Sequence, residues 1–135
     1  MSGLALARAA EALIGAPFRL HGRDPQNGLD CIGLLGAALE QIGRPLTLPS
    51  GYPLRLHKLD GWLPDLTGSG FVAAALPCEP GDVILLRPGP AQIHLAIAGL
   101  AGGWVHAHAG LRRVVQQATR PAGPILHHWR LAPAA

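Results

Sequence analysis

Apolar residues change their spacing part-way along the chain. Over residues 2–14, Leu4, Leu6, Ala7, Ala10, Leu13 and Ile14 follow a helical repeat, with Ser2 in position to cap the run. Over residues 31–42, Leu34, Leu35, Ala38, Leu39 and Ile42 repeat that spacing. Here Asp30 is a good N-cap, and Gly43 followed by Pro45 stops the helix. From Val83 onward the pattern becomes short apolar runs between turn signals. It predicts strands near 82–87, 92–99, 103–108, 111–117 and 125–130, with Gly99 to Gly103 as one hairpin connection and Gly110 in the next. Successive strands joined by short turns pair antiparallel. Helices first and strands second predict an α+β fold, N-terminal helices packed on an antiparallel sheet of about five strands.

Two stretches are less regular. Residues 15–29 read as a loop, with turn signals at Asp24-Pro25 and Asn27-Gly28. Residues 44–76 are broken by Pro45, Pro49, Pro53 and Pro64, and leave room for short helices over 54–59 and 71–76. Tyr52, Arg55, His57 and Trp62 are candidate groove residues there, although scattered aromatics more often plug a core.

Composition narrows the class. The 135 residues suit a single domain over 1–135, and 49% hydrophobic against 14% charged residues describes a chain that folds around a core. A net charge of +3 without a basic stripe or interleaved aromatics argues against nucleic-acid binding. The apolar start from Leu4 to Ile14 is short and interrupted by Arg8 and Glu11, so it predicts neither a membrane span nor a signal peptide.

The chemistry centres on Cys31. In the first turn of a helix, the dipole and the unpaired N–H groups favour a negative sulfur. The plainer reading is a small buried hydrophobe. His94 interrupts an otherwise apolar strand, where a polar group needs a partner or a purpose, and it is the candidate general base. His106 follows twelve residues later across a predicted hairpin, and is the candidate third group that orients the imidazole; His108, of the same strand parity, is the runner-up. Phe18, Arg19, His21 and Asp30 are the candidate substrate-binding residues. A Cys31–Cys78 disulfide would disable the nucleophile. A metal site drawn from His94, His106-x-His108 and His127-His128 is a rival reading, but those spacings match no strong ligand signature. No metal ligand is assigned.

These pieces together resemble the NlpC/P60-type cysteine peptidases, a papain-like group that cuts peptides of the bacterial cell wall. The resemblance rests on Gly28-Leu29-Asp30-Cys31-Ile32-Gly33, Pro80-Gly81-Asp82, His94-Leu95-Ala96-Ile97 and Val105-His106-Ala107, in that order, with Gly15-Ala16-Pro17-Phe18 upstream. It implies a papain-like fold, a thioester intermediate, no cofactor, and a peptidoglycan stem peptide as partner, cut at a γ-D-glutamyl–diaminopimelate type of bond. Small relatives in phage tails make phage-tail-like particle proteins a further expected partner. Without a signal peptide, the expectation is synthesis in the cytoplasm and delivery to the wall by lysis, a particle or another export route. Three positions depart from the family pattern: Ile32 stands for a serine, Phe18 for a tyrosine and His21 for a glycine. The alternatives are an inactive wall-binding or structural module and a thiol acyltransferase.

Overall fold

Both helices form where the apolar spacing predicts them. α1 spans Ser2–Ala12 and α2 spans Cys31–Gln41 in the computed structural model, which describes residues 2–46, 66, 70–89 and 92–133. Ser2 is the first helical residue rather than a cap, and its hydroxyl accepts from Arg44 Nη1 at 3.2 Å. The N-cap of α2 is Asp30, whose Oδ1 accepts from the Gly33 N–H at 2.8 Å. Such a cap typically contributes about 1 kcal/mol. At the far end Gly43 takes a positive φ and Arg44 N–H bonds back to the Leu39 carbonyl, which closes the helix. Residues Ile32, Leu34, Leu35, Ala38 and Leu39 are buried, so α2 is apolar nearly all round and lies between α1 and the sheet.

The segment predicted as plain loop contains a small antiparallel ribbon of β1 (Arg23–Asp24) and β2 (Gly28–Leu29). The main sheet comprises β3 (Phe71–Ala73), β4 (Val83–Leu86), β5 (His94–Ala98), β6 (Trp104–His108), β7 (Arg113–Gln117) and β8 (Ile125–Leu131). Its order is β3-β8-β4-β5-β6-β7, and every recorded pair is antiparallel. The predicted strands from residue 82 onward all form.

The sheet has six strands rather than five, because Phe71–Ala73 is a strand and not the start of a helix over 71–76. Its partners are Phe71 with Leu131, Val72 with Arg130 and Ala73 with Trp129. The alanines there favour a helix locally, but Pro77 biases the preceding residue away from it, and the open edge of β8 offers backbone partners. The helix predicted over 54–59, and Tyr52, Arg55, His57 and Trp62, lie outside the described residues.

The period of two along the strands divides the sheet into two faces. Val83, Leu85, Leu95, Ile97 and Val105 join α1 and α2 in the main core. Ile84, Leu86, Ala96, Ala98 and Trp104 form a smaller cluster on the other face. β4 is therefore buried along its whole length. Residues 15–18 are stitched to β7 through Gly15 N–H to Val114 O and Phe18 N–H to Arg112 O, both 2.9 Å. They also accept from β2, Leu29 N–H to Pro17 O at 2.8 Å, which fixes Phe18 beside the start of α2.

Candidate active site

Cys31 is the first residue of α2, one position after the cap. That first turn can approach its neighbours because residue 33 is glycine: a Cβ there would collide with the Gly22 carbonyl oxygen. The β5–β6 ladder pairs Ile97 with Val105 and Ala98 with Trp104, and stops there. Beyond it, the backbone N–H of Leu95 is directed at the Cys31 sulfur, together with those of Ile32 and Cys31 itself.

The register of that ladder, continued, sets His94 opposite His108. The contact His94 makes is to His106, two residues away: His94 Nε2 and His106 Nδ1 are 2.8 Å apart, with the rings edge to face. Long and aromatic side chains reach diagonal neighbours of this kind. The same diagonal repeats on the next strand. His106 is paired with Val115 across β6 and β7, but its Nε2 lies 2.7 Å from Gln117 Oε1. Gln117 Nε2 in turn donates to the Thr119 carbonyl at 2.9 Å. His108 Nδ1 accepts from Leu111 N–H at 3.0 Å, outside this chain of contacts.

Cys31, His94, His106, His108 and Gln117 all line one cavity of about 440 Å³. Phe18, Leu20, Ile32, Ile93 and Pro121 give it largely apolar walls. Asp30 also lines it, but both its carboxylate oxygens accept backbone N–H groups, Oδ1 from Gly33 and Oδ2 from His21, each at 2.8 Å. Arg19 and His21 are exposed and are not among the lining residues; His21 adopts a left-handed backbone with φ 62°.

The protonation states differ from the thiolate that the helix start alone predicts. Burial, and then the negative charge of Asp30, push the Cys31 pKa up to about 12, outweighing the three N–H groups aimed at the sulfur. Burial, and then repulsion from His106 and His108, bring His94 down to about 4. His106 is also lowered, chiefly by burial, although its bond to Gln117 works against this. These shifts favour the Cys31 thiol and the neutral imidazoles of His94 and His106 at neutral pH.

No protein-family model matches this chain, and no curated protein matches it. Solved structures do. The NlpC/P60 domain of the peptidoglycan hydrolase SagA superposes with a TM-score of 0.64 at 21% identity, covering 97% of this chain and 100% of that one. The peptidoglycan hydrolase RipB from Mycobacterium tuberculosis gives 0.65 at 22%, over 98% of this chain and 66% of RipB. An NlpC/P60 family protein from Bacillus cereus gives 0.66 at 19%, over 97% of this chain and 40% of that protein. The fold is of the NlpC/P60 type.

Within this NlpC/P60-type fold a second polar cluster lies at the start of β4. Asp82 is fully buried and accepts from Glu79 N–H, from His128 Nε2 at 2.7 Å, and from Arg130 through both Nε and Nη2 at 2.8 Å. Burial alone would raise its pKa, but the hydrogen bonds from Arg130, Glu79 and His128 hold it below the usual carboxylate range. Cys78 Sγ is 3.9 Å from His128 Nε2. Cys78, Asp82 and His128 are, among the described residues, the group whose ligand atoms converge closely enough for a metal ion. The guanidinium of Arg130 already occupies the cation position against Asp82, so the cluster fits a structural ion pair better than a metal centre. Of the histidines of the rival metal reading, His94, His106 and His108 gather at the cavity, whereas His127 stacks on Trp129 away from them. The two cysteines are both free.

Sequence reasoning missed Gln117, Leu20, Ile93 and Pro121 in the cavity, and the Asp82–His128–Arg130 cluster. Gln117 carries no local signal, since it is one of two adjacent glutamines on a polar edge strand. Only the register of β6 with β7 brings it to His106.

Proposed function

We propose that this chain is a cysteine peptidase that hydrolyses peptide bonds in the stem peptides of bacterial peptidoglycan. Cys31 is the nucleophile, His94 the general base and acid, and His106 the group that orients His94. The observation that carries this reading is the convergence of Cys31, His94 and His106 on one cavity. It gains support from the fold, whose solved examples include the peptidoglycan hydrolases SagA and RipB.

The resting pair is neutral, so the thiol proton passes to His94 as the sulfur bonds to the substrate carbonyl carbon. The backbone N–H of Cys31, at the positive end of α2, is a donor for the oxyanion that forms. Collapse of the tetrahedral species breaks the C–N bond, and the leaving amine takes the proton from His94. Water then attacks the thioester with His94 as base, releasing the acid and restoring the thiol. Phe18 and Leu20 form part of the apolar wall of the cavity that takes the substrate. By resemblance the bond is of the γ-D-glutamyl–diaminopimelate type.

Incubation with purified peptidoglycan tests this. Wild-type protein is expected to release new amino termini, with or without chelator, and fragment masses identify the bond. Cys31→Ala and His94→Ala are expected to release none above background. Cleavage that survives Cys31→Ala, cleavage lost to chelator, or no cleavage by the wild type overturns the proposal.

A further inference from the structure

We infer that Gln117, anchored by the Thr119 carbonyl, is a positioning residue that selects the tautomer of His94 through His106, leaving His94 Nδ1 as the bare nitrogen for the Cys31 proton. This rests on the proposed thiol-peptidase reading only for its kinetic consequence; the tautomer itself is independent of substrate.

The argument follows the protons. The Thr119 carbonyl oxygen can only accept, so the Gln117 atom facing it at 2.9 Å is the amide nitrogen. That orientation leaves Oε1 facing His106 Nε2 at 2.7 Å. Oε1 can only accept, so His106 carries a proton on Nε2. A neutral His106 then has a lone pair on Nδ1, and the 2.8 Å contact to His94 Nε2 requires that His94 donate. His94 therefore carries its proton on Nε2, and Nδ1 is unprotonated. The alternative, a His106 imidazolium donating from Nδ1, is disfavoured by burial and by the neighbouring imidazole of His108.

Geometry gives the chain its direction. His94, His106 and Gln117 share the sheet face that carries Ala96, Ala98 and Trp104, because Ala98 pairs with Trp104 and Trp104 with Gln117. Each contact leans two residues off the direct pairing, so three adjacent strands relay one choice of tautomer across the sheet. When His94 becomes an imidazolium during the reaction, its Nε2–H keeps the same acceptor and no hydrogen bond has to be remade.

Two substitutions separate this role from mere filling of space. Gln117→Leu removes the acceptor toward His106. Gln117→Lys offers only donors, which forces the His106 proton to Nδ1 and the His94 proton to its own Nδ1. Nitrogen-15 NMR of the histidine rings in the full chain reads the tautomers directly, and a melting curve confirms that each variant is folded. His94 is expected to be protonated at Nε2 in the wild type, mixed in Gln117→Leu, and inverted in Gln117→Lys. On peptidoglycan, kcat is expected to fall about 10- to 100-fold for Gln117→Leu and further for Gln117→Lys, with KM unchanged. An unchanged His94 tautomer in both Gln117→Leu and Gln117→Lys, or wild-type kcat in Gln117→Leu, overturns the inference. If wild-type protein cleaves nothing while the tautomers shift as stated, the peptidase reading fails and the role of Gln117 stands.

Discussion

The protein holds two cysteine–histidine sites, and they are built in opposite ways. At the start of β4, His128 uses one nitrogen, Nε2, for both Asp82 at 2.7 Å and Cys78 at 3.9 Å. That nitrogen is engaged with a carboxylate, and the carboxylate is already saturated by Arg130 and Glu79 N–H. Nothing is left to take a proton from Cys78. At the cavity the contacts run through different nitrogens in sequence, from His94 to His106 to Gln117, and among the described residues no carboxylate hydrogen-bonds either imidazole. The first arrangement consumes its polar atoms to tie β4 and β8 to the preceding turn. The second engages Nε2 of His94 and leaves its other nitrogen uncommitted, on a residue that lines the same cavity as Cys31. On the proposed peptidase reading, the histidine nitrogen already committed is what separates the two cysteines.

The largest expected effect separates the two cysteines. Cys31→Ser is expected to lower kcat/KM on peptidoglycan by at least about 10³-fold, while Cys78→Ser changes it by less than about twofold. Comparable losses for both would erase the distinction. Stability should respond in the reverse sense. Asp82→Asn strands Arg130 and His128 and is expected to lower the unfolding free energy by about 2–3 kcal/mol, at the lower end for a broken buried pair because Arg130 is partly exposed. Urea titration measures it, and the folded variant should keep wild-type kcat/KM. A stability loss under about 0.5 kcal/mol would mean that the cluster is not the tie described here.

Acid distinguishes the sites more finely. His94 has a folded pKa of about 4, below its ordinary 6.5, so unfolding takes up a proton between those values. Its contribution is fully present above pH 6.5 and is lost as the pH falls toward 4, by at most about 3 kcal/mol at 1.36 kcal/mol per unit. Asp82 is also depressed, so its contribution is present above its ordinary 3.8 and is lost only on going below that value. Two acid-induced losses in separate windows are expected in melting temperature against pH, the upper one smaller in His94→Asn, where only the lowered His106 still contributes to it. For the same reason the acid limb of kcat/KM should fall near pH 4 rather than 6.5, and a limb at 6.5 would show that His94 is less buried than described.

Much of the scaffold was legible locally. The Asp30 cap, the stop at Gly43 and the strands after residue 82 depend on neighbours a few positions away, where propensity and periodicity act. The interruption of an apolar strand by His94 was equally visible, since it is a contrast between one residue and its immediate surroundings. The strand at Phe71–Ala73 was not, because its partner Leu131 is sixty residues distant and the alanines point to a helix. Phe18 reached the cavity as its place before α2 suggested, whereas Arg19 and His21 turned outward when residues 15–18 were stitched to β7.

By itself, then, the sequence determined which residues could do chemistry and which elements would carry them: a cysteine at a capped helix start, and two histidines on successive strands. Only the tertiary structure decided the state of those groups. Burial of the thiol among groups from distant elements favours Cys31 as a thiol rather than a thiolate, on top of the charge of the adjacent Asp30, and the sheet register delivered Gln117 to His106 and committed both nitrogens of His106 and Nε2 of His94. The reason is physical. Propensity and capping are properties of adjacent residues, whereas desolvation, charge repulsion and hydrogen-bond direction depend on groups brought together from distant parts of the chain.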